Sequence, residues 1–214
     1  MIFYLLTYLG KQEDREMSEA VCPVPPQDLY GALIHFHEPK YTVVGINQFW
    51  NTISNICYLI VGIQLCRMKN PLGSILICVG IFSTLFHATG RFGYEVGDEI
   101  HILFLIHTVL DNTRYHGNKW LYLMYPIYVT GLIFQDFREF YILLSSVSLI
   151  AINELKNRAN YLGNIHHYND MLGCLLIGKF FWFLEQSGYF WPGHSIWHAF
   201  SALAVGYAGL IIGS

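Results

Sequence analysis

Between residues 80 and 99 the chain reads Gly80-Ile-Phe-Ser-Thr-Leu-Phe-His-Ala-Thr-Gly-Arg-Phe-Gly-Tyr-Glu-Val-Gly-Asp-Glu99. The stretch begins as an apolar helix, passes through a glycine-rich turn and reaches two acidic residues, after which another apolar helix starts. Ser83 and His87 are four residues apart and therefore share one helix face. Asp98 follows the predicted turn directly, where the chain comes back toward His87.

A second polar pattern lies far away in the sequence, at the start of the last apolar segment, and reads His194-Ser-Ile-Trp-His198. These two histidines are also four residues apart, so one helix face carries both. The sequence therefore predicts that separate apolar helices bring together three histidines and an acid.

The composition is that of a membrane protein. Of the 214 residues, 54% are hydrophobic and only 13% are charged, whereas soluble domains average about 25% charged residues. The net charge of −3 leaves no basic patch for nucleic acid. The five cysteines form no Cys-x-x-Cys pair, which argues against a disulfide framework or a thiolate zinc site.

We predict an all-α integral membrane bundle of seven transmembrane helices over residues 44–214, preceded by an extramembrane or interfacial segment, residues 1–43. The predicted spans cover residues 44–66, 71–88, 97–110, 120–134, 140–152, 169–184 and 194–212. Several are shorter than the roughly 20 residues of an ideal span, so their polar ends must reach the interface.

The distribution of lysine and arginine predicts the orientation. The loops after the odd-numbered spans carry six basic residues: Arg67, Lys69, Arg114, Lys119, Lys156 and Arg158. The short loops on the other side carry only Arg91 and Arg138. The positive-inside rule then places the N-terminus outside or in a lumen and the C-terminus in the cytoplasm. Odd spans begin and even spans end in one leaflet, so all three histidines and Asp98 are expected at the same depth.

Ionisable residues inside a membrane are costly and mark function by default. Three neutral imidazoles, His87, His194 and His198, are a typical ligand set for a catalytic zinc ion with an open fourth position. A nearby carboxylate, Asp98, could orient or deprotonate a zinc-bound water. Ser83 could hydrogen-bond a ligand, the water or the oxyanion of a tetrahedral intermediate.

Other interpretations stay open at this point. A Ser-His-Asp triad is a rival, although it leaves His194 and His198 without a role. Ser83 could bond its own backbone four residues back. Asp98 and Glu99 could be acids favoured by a helix N-terminus, an interpretation that suits Glu99 better.

Most of the remaining polar residues are expected to have structural roles. His101, one turn after Asp98, is a lesser candidate for a substitute ligand, and His107 is expected to be structural. His166 and His167 fall on the cytoplasmic side, away from the site. Trp182 and Glu185 are in the correct leaflet, where they are expected to pack or to line the cavity.

The chain resembles the alkaline ceramidases, within a seven-helix hydrolase superfamily that includes adiponectin and progestin receptors. The matching motifs are Gln48-Phe-Trp-Asn-Thr-Ile-Ser-Asn55, Ser83-x-x-x-His87 with Asp98-Glu99, and His194-x-x-x-His198. The resemblance implies zinc on the three histidines, Asp98 at the water and Ser83 at the transition state.

It also implies that a ceramide-type lipid is the substrate and that its amide is hydrolysed to sphingosine and a fatty acid. A multi-pass protein of the endoplasmic reticulum or Golgi, with a lumenal N-terminus, is the corresponding expectation. The alternatives are a receptor-like lipid-binding protein with little turnover and a lipid-ester hydrolase.

The resemblance fails at the calcium site of the animal enzymes, which carry an Asp-Trp-x-Glu-x-Asn run and a later Glu. Here the corresponding run is His35-Phe-His-Glu-Pro-Lys40, and the later Glu is Gln48. Only Glu38 remains as a hard ligand, whereas calcium prefers several oxygen ligands. Calcium is therefore not expected as a cofactor.

Overall fold

A computed structural model describes residues 38, 45–113, 122–134 and 138–213, and these form helices joined by turns. The seven helices of this part of the chain are α1 Phe49–Arg67, α2 Leu72–Thr89, α3 Phe92–Asp111, α4 Met124–Phe134, α5 Arg138–Leu162, α6 Ile165–Gln186 and α7 Gly193–Gly213. The all-α prediction is confirmed. The predicted N-terminal segment, apart from Glu38, lies outside the described residues.

Helix α1 is interrupted at Asn55, which separates Phe49–Ser54 from Ile56–Arg67. At the interruption, two side chains donate hydrogen bonds to the carbonyl of Asn51: Asn55 Nδ2 at 2.9 Å and Ser54 Oγ at 3.0 Å. Short polar side chains commonly bond to nearby backbone in this way and disturb a helix. The first two turns of α1 are therefore set apart from the apolar remainder of the helix.

The reversal between α2 and α3 is tighter than predicted. Helix α2 ends at Thr89, and Gly90 follows in the left-handed conformation, with φ 66°, while its N–H bonds the Phe86 carbonyl at 2.7 Å. One left-handed glycine is sufficient to end a helix, so α3 already begins at Phe92. Asp98 consequently lies on the second turn of α3, which corrects its predicted place directly after a turn.

Among the described residues, three helices are long and apolar enough to cross a membrane: α1, α2 and α7, with mean hydropathies of 1.3, 1.8 and 1.5. Helices α3 and α6 carry more charge within their lengths, including Glu95, Asp98 and Glu99 in α3 and Asp170, Lys179 and Glu185 in α6. Length and composition therefore support a membrane protein, but not by themselves seven crossings.

Helix α7 packs against both α6 and α1. Its inner face is built from small residues, of which Ala202 is 0% and Ala208 5% exposed. Small side chains let helices approach closely. This packing is expected in a membrane, where lipid tails are as apolar as the side chains and close contact must replace the hydrophobic driving force. This packing holds the first turns of α7 beside the C-terminal end of α2 and the first turns of α1.

The cysteines behave as small apolar residues in the described part of the chain. Cys57, Cys66, Cys78 and Cys174 are free thiols. Cys22 lies outside the described residues.

Candidate metal centre

The three predicted histidines come together where the C-terminal end of α2 meets the start of α7. His87, His194 and His198 are 1%, 8% and 2% exposed. One ring nitrogen from each lies within 4.8 Å of the others. We refer to these three residues as the histidine cluster.

The geometry of the cluster fits a metal ion. The Nε2 atoms of His194 and His198 are 3.0 Å apart. Two zinc–nitrogen bonds of about 2.0–2.1 Å at a tetrahedral angle would separate the two nitrogens by about 3.3 Å. The three imidazoles could therefore bind a metal after a small adjustment.

The first turns of α1 bond to the cluster and to its neighbour. Gln48 Oε1 lies 2.6 Å from His87 Nδ1, and Ser54 Oγ lies 2.7 Å from His198 Nδ1. Between these two residues, Asn51 Oδ1 accepts a hydrogen bond of 2.7 Å from the hydroxyl of Ser195. Three polar side chains of α1 thus reach α2 and α7 at the histidine cluster.

Ser83 and Asp98 form a pair across α2 and α3. The Ser83 hydroxyl hydrogen-bonds the Asp98 carboxylate, and Ser83 is 2% exposed. The other carboxylate oxygen, Asp98 Oδ1, is buried and has no hydrogen-bond partner among the described residues. Because Ser83 lies one turn from His87 on α2, the Ser83–Asp98 pair is next to one of the three histidines of the cluster.

Glu99 has a different role from the one expected. Since α3 begins at Phe92, Glu99 is not in its first turn and does not serve the helix dipole. Its carboxylate accepts hydrogen bonds from the hydroxyls of Tyr128, at 2.8 Å, and Tyr141. Glu99, the residue that follows Asp98, therefore links α3 to α4 and α5 by hydrogen bonds.

Two buried carboxylates cap the helices that support the cluster. Glu185, 0% exposed, accepts a hydrogen bond from the backbone N–H of His194 at the start of α7. Glu38 accepts from the N–H groups of Trp50, at 2.6 Å, and Asn51, at 2.9 Å, at the start of α1. Burial raises the pKa of the Glu38 carboxyl, and the two N–H bonds oppose that rise. Each carboxylate satisfies orphan helix donors and complements the helix dipole.

The remaining histidines of the described chain lie in other environments. His101 Nδ1 bonds the Gly97 carbonyl at 2.6 Å, and its ring stacks on Phe82. His107 bonds Tyr125 at 3.1 Å. The rings of His166 and His167 lie 4.0 Å apart near the start of α6.

Sequence reasoning missed Lys179. Its Nζ lies 3.8 Å from the centroid of the Trp182 ring and 5.0 Å from that of Trp197, so two indoles hold the cation. The available signal was an ionisable residue inside a predicted span. Gln48 and Ser54 had a signal too, because residues 48, 51 and 54 recur at helical spacing in the first span.

The fold and the cluster define a class, namely an all-helical protein with helices suited to a membrane and three buried histidines that could bind a metal. A model of the ceramidase family matches residues 31–187, more than half of the chain, and the protein belongs to that family. Family membership supports a ceramide-hydrolysing function and implies amide hydrolase activity.

The matched region includes Ser83, His87 and Asp98 but ends before His194. The contribution of α7 to the site is therefore visible from the structure rather than from the family match. A search of curated proteins found no match.

Proposed function

We propose that this protein is a multi-pass membrane zinc amidohydrolase that cleaves the amide of ceramide, or of a related sphingolipid, to sphingosine and a fatty acid. The observation that carries the proposal is the buried histidine cluster, whose ring nitrogens lie within 4.8 Å of one another in a chain of the ceramidase family. Neutral imidazoles without a thiolate suit a catalytic zinc ion.

His87, His194 and His198 would hold the zinc ion. Bound zinc supplies Lewis acidity toward a carbonyl and lowers the pKa of a coordinated water. Asp98 Oδ1 is the free buried acceptor on α3, and we assign it the task of orienting the attacking water and taking its proton.

Ser83 donates to the Asp98 carboxylate and so holds it in one orientation. Its hydroxyl is also the candidate donor to the developing oxyanion, a role that the resemblance to alkaline ceramidases supports. The three histidines are only 1–8% exposed, and such burial lowers the local dielectric constant and strengthens these interactions.

The contacts weigh against a Ser-His-Asp triad. A triad requires the acid at Nδ1 of the histidine, but His87 Nδ1 bonds the Gln48 amide at 2.6 Å. Asp98 bonds Ser83 instead. A metal centre uses all three histidines, whereas a triad uses one.

We also propose that all seven helices cross the membrane, with a lumenal N-terminus and a cytoplasmic C-terminus, in the endoplasmic reticulum or Golgi. The burial of Glu95 and Glu185, which are 3% and 0% exposed, supports this because acids of α3 and α6 then face the bundle rather than lipid. Calcium is not part of the proposal, since both carboxylate oxygens of Glu38 already accept backbone hydrogen bonds from α1.

The test is ceramide hydrolysis by the full-length protein, purified in detergent, with zinc quantified on the same samples. The variants are His198→Ala and, as a matched control, the exposed His166→Ala. We expect wild type and the control to contain zinc and release sphingosine. His198→Ala should lose both, with the rate falling by a factor of at least about 10³, because an imidazole that binds the metal has no substitute.

Other outcomes separate the alternatives. Zinc without release of sphingosine from any ceramide would favour the receptor-like function, and hydrolysis of lipid esters alone would favour the ester hydrolase. A folded wild-type protein without zinc would refute the metal centre and return the histidines to structural roles.

A further inference from the structure

We propose that Gln48 and Ser54, on the first turns of α1, are positioning residues that fix the proton of His87 and of His198 on Nδ1 and so present Nε2 to the metal. The inference rests on the metal centre of the proposed function. It concerns residues that contact the ligating histidines and not the metal itself.

The first bond decides the tautomer of His87. Gln48 Oε1 lies 2.6 Å from His87 Nδ1, and both side chains are buried, at 4% and 1% exposed. An amide oxygen can only accept a hydrogen bond, so Nδ1 must be the donor and Nε2 keeps its lone pair. Asn51 Nδ2 lies 3.3 Å from the same Gln48 atom, which agrees with an oxygen at that position.

Gln48 holds His87 by its backbone as well. The N–H of Gln48 donates to the His87 carbonyl at 2.9 Å, and the N–H of Asn47 donates to the Ala88 carbonyl at 2.9 Å. The backbone pair fixes the distance between α1 and the end of α2, and the side-chain bond fixes the ring. The imidazole of His87 therefore cannot rotate without losing the bond to Gln48.

The second bond has the same consequence for His198. The hydroxyl of Ser54 donates to the Asn51 carbonyl at 3.0 Å, and a hydroxyl has only one proton. With that proton on the Asn51 carbonyl, we assign the hydroxyl oxygen as the acceptor from His198 Nδ1, which lies 2.7 Å away. The Nε2 atom of His198 then keeps its lone pair, and it lies 3.0 Å from His194 Nε2.

The position of Gln48 in the helix supports this role. Gln48 is the N-cap residue of α1, yet its side chain makes no capping hydrogen bond, although a polar N-cap side chain usually bonds its own helix. The Glu38 carboxylate bonds the N–H groups of Trp50 and Asn51 instead. A residue ten positions away thus caps the helix, and the Gln48 amide remains available for His87.

Partners of this kind control metal affinity. A hydrogen bond to the second nitrogen of a ligating histidine fixes its tautomer and orientation, and losing it typically costs about 10–100-fold in affinity. The partner here is a neutral amide, a weaker acceptor than a carboxylate. Gln48→Leu should therefore weaken metal binding, whereas Gln48→Glu should preserve or strengthen it.

The experiment measures zinc affinity of the full-length protein in detergent, by competition with a chromophoric chelator. We expect Gln48→Leu to raise the zinc Kd about 10–100-fold and Gln48→Glu to restore binding at least to the wild-type level. The matched control is Gln64→Leu, because Gln64 is exposed on the same helix; its Kd should equal that of wild type.

Ser54→Ala tests the inference on His198, and it serves as the deciding variant if Gln48→Leu does not fold. Its zinc Kd should rise about tenfold, whereas Ser146→Ala, which removes an exposed hydroxyl bonded to its own helix, should leave the Kd unchanged. A cobalt-loaded sample adds a second readout, since the visible spectrum of Co²⁺ should change in Gln48→Leu and Ser54→Ala but not in the controls.

The outcomes are distinct. A purely structural role for Gln48 would lower thermal stability while leaving the zinc Kd and the cobalt spectrum of the folded protein as in wild type, and that result overturns the inference alone. Absence of zinc binding by wild type overturns the proposed metal centre and the inference together.

Discussion

The two ends of the helix bundle use their polar residues differently. At the end where α7 begins, Glu38 and Glu185 bond backbone N–H groups, but polar side chains also bond to other side chains, as in the pairs Gln48–His87 and Ser54–His198. At the end where α7 finishes, they bond to backbone carbonyls. Arg158 donates to the carbonyls of Asn112, Ile211 and Ile212 at 2.9–3.0 Å.

We expect the backbone contacts at one end to contribute to stability and the side-chain pairs at the other end to contribute to metal binding. The last carbonyls of a helix have no partner within it, so Arg158 satisfies groups that any fold of this topology would expose. A cation is also favoured at helix C-termini by the dipole. The polar pairs at the histidine end satisfy no such general need; in the metal centre that we propose, they orient particular rings. Substitutions at the two ends should therefore change different observables.

Arg158→Met should have the largest effect on stability. It removes three hydrogen bonds from a charged donor to the ends of α3 and α7, and we expect a loss of about 3 kcal/mol. The measurement is the free energy of unfolding in denaturant, with zinc content determined on the folded fraction, which should be unchanged. The control is Arg67→Met, at an exposed position; an equal loss there would contradict the assignment of Arg158.

Gly193→Ala should lower both the stability of the protein and its affinity for zinc. A Cβ at residue 193 would lie 2.0 Å from the Phe181 carbonyl oxygen and 2.9 Å from Glu185 Cβ, so α6 and α7 must move apart. Overpacking of this kind costs about 1–3 kcal/mol, and the shift of His194 should also raise the zinc Kd. Both quantities are measured against Gly173→Ala, where a Cβ meets nothing within 4 Å. A variant with wild-type zinc affinity would show that the position of His194 tolerates the movement.

Tyr128 and Tyr141, whose hydroxyls bond Glu99, form what we call the tyrosine clamp. Tyr141→Phe tests whether this clamp is structural, although Glu99 is the chain neighbour of Asp98. It removes one of two hydroxyls that donate to the Glu99 carboxyl group, and the cost should be about 1–2 kcal/mol because a buried acceptor loses a hydrogen bond. Thermal unfolding measures this loss, and the zinc Kd should stay at the wild-type value. Tyr161→Phe, at a side chain 81% exposed, provides the baseline. A changed zinc Kd would assign the clamp to the metal centre instead.

Tyr58→Phe should have the smallest effect and marks the boundary between the two ends. The Tyr58 hydroxyl bonds Ser201 Oγ at 2.6 Å, but Ser201 also bonds the Trp197 carbonyl at 2.6 Å. Because the serine keeps a partner, we expect a loss of about 0.5–1 kcal/mol and unchanged zinc affinity. Thermal unfolding against Tyr161→Phe measures the first quantity, and chelator competition measures the second. A tenfold change in the zinc Kd would show that Tyr58 also contributes to the metal centre.

The amino-acid sequence was sufficient to predict the all-α fold class and the three histidines that the structure brings together. Its charge deficit predicted a membrane protein, and helical spacing placed Ser83 above His87 and paired His194 with His198. These inferences succeed because composition and i, i+4 spacing are local properties that depend on one helix at a time. The seven apolar segments also correspond to seven helices in the described chain, although α1, α3, α4 and α6 begin four or five residues away from the predicted bounds and α5 ends ten residues beyond them.

The hydrogen bonds between polar groups of different helices, by contrast, follow only from the way the helices pack. Nothing in the local pattern says that Glu38 caps α1, that Glu185 caps α7 or that Gln48 bonds His87. Each of these contacts joins residues that are far apart in sequence, and each depends on the position and rotation of two packed helices. Spacing along the chain determines which side chains share a face, whereas packing determines which faces meet.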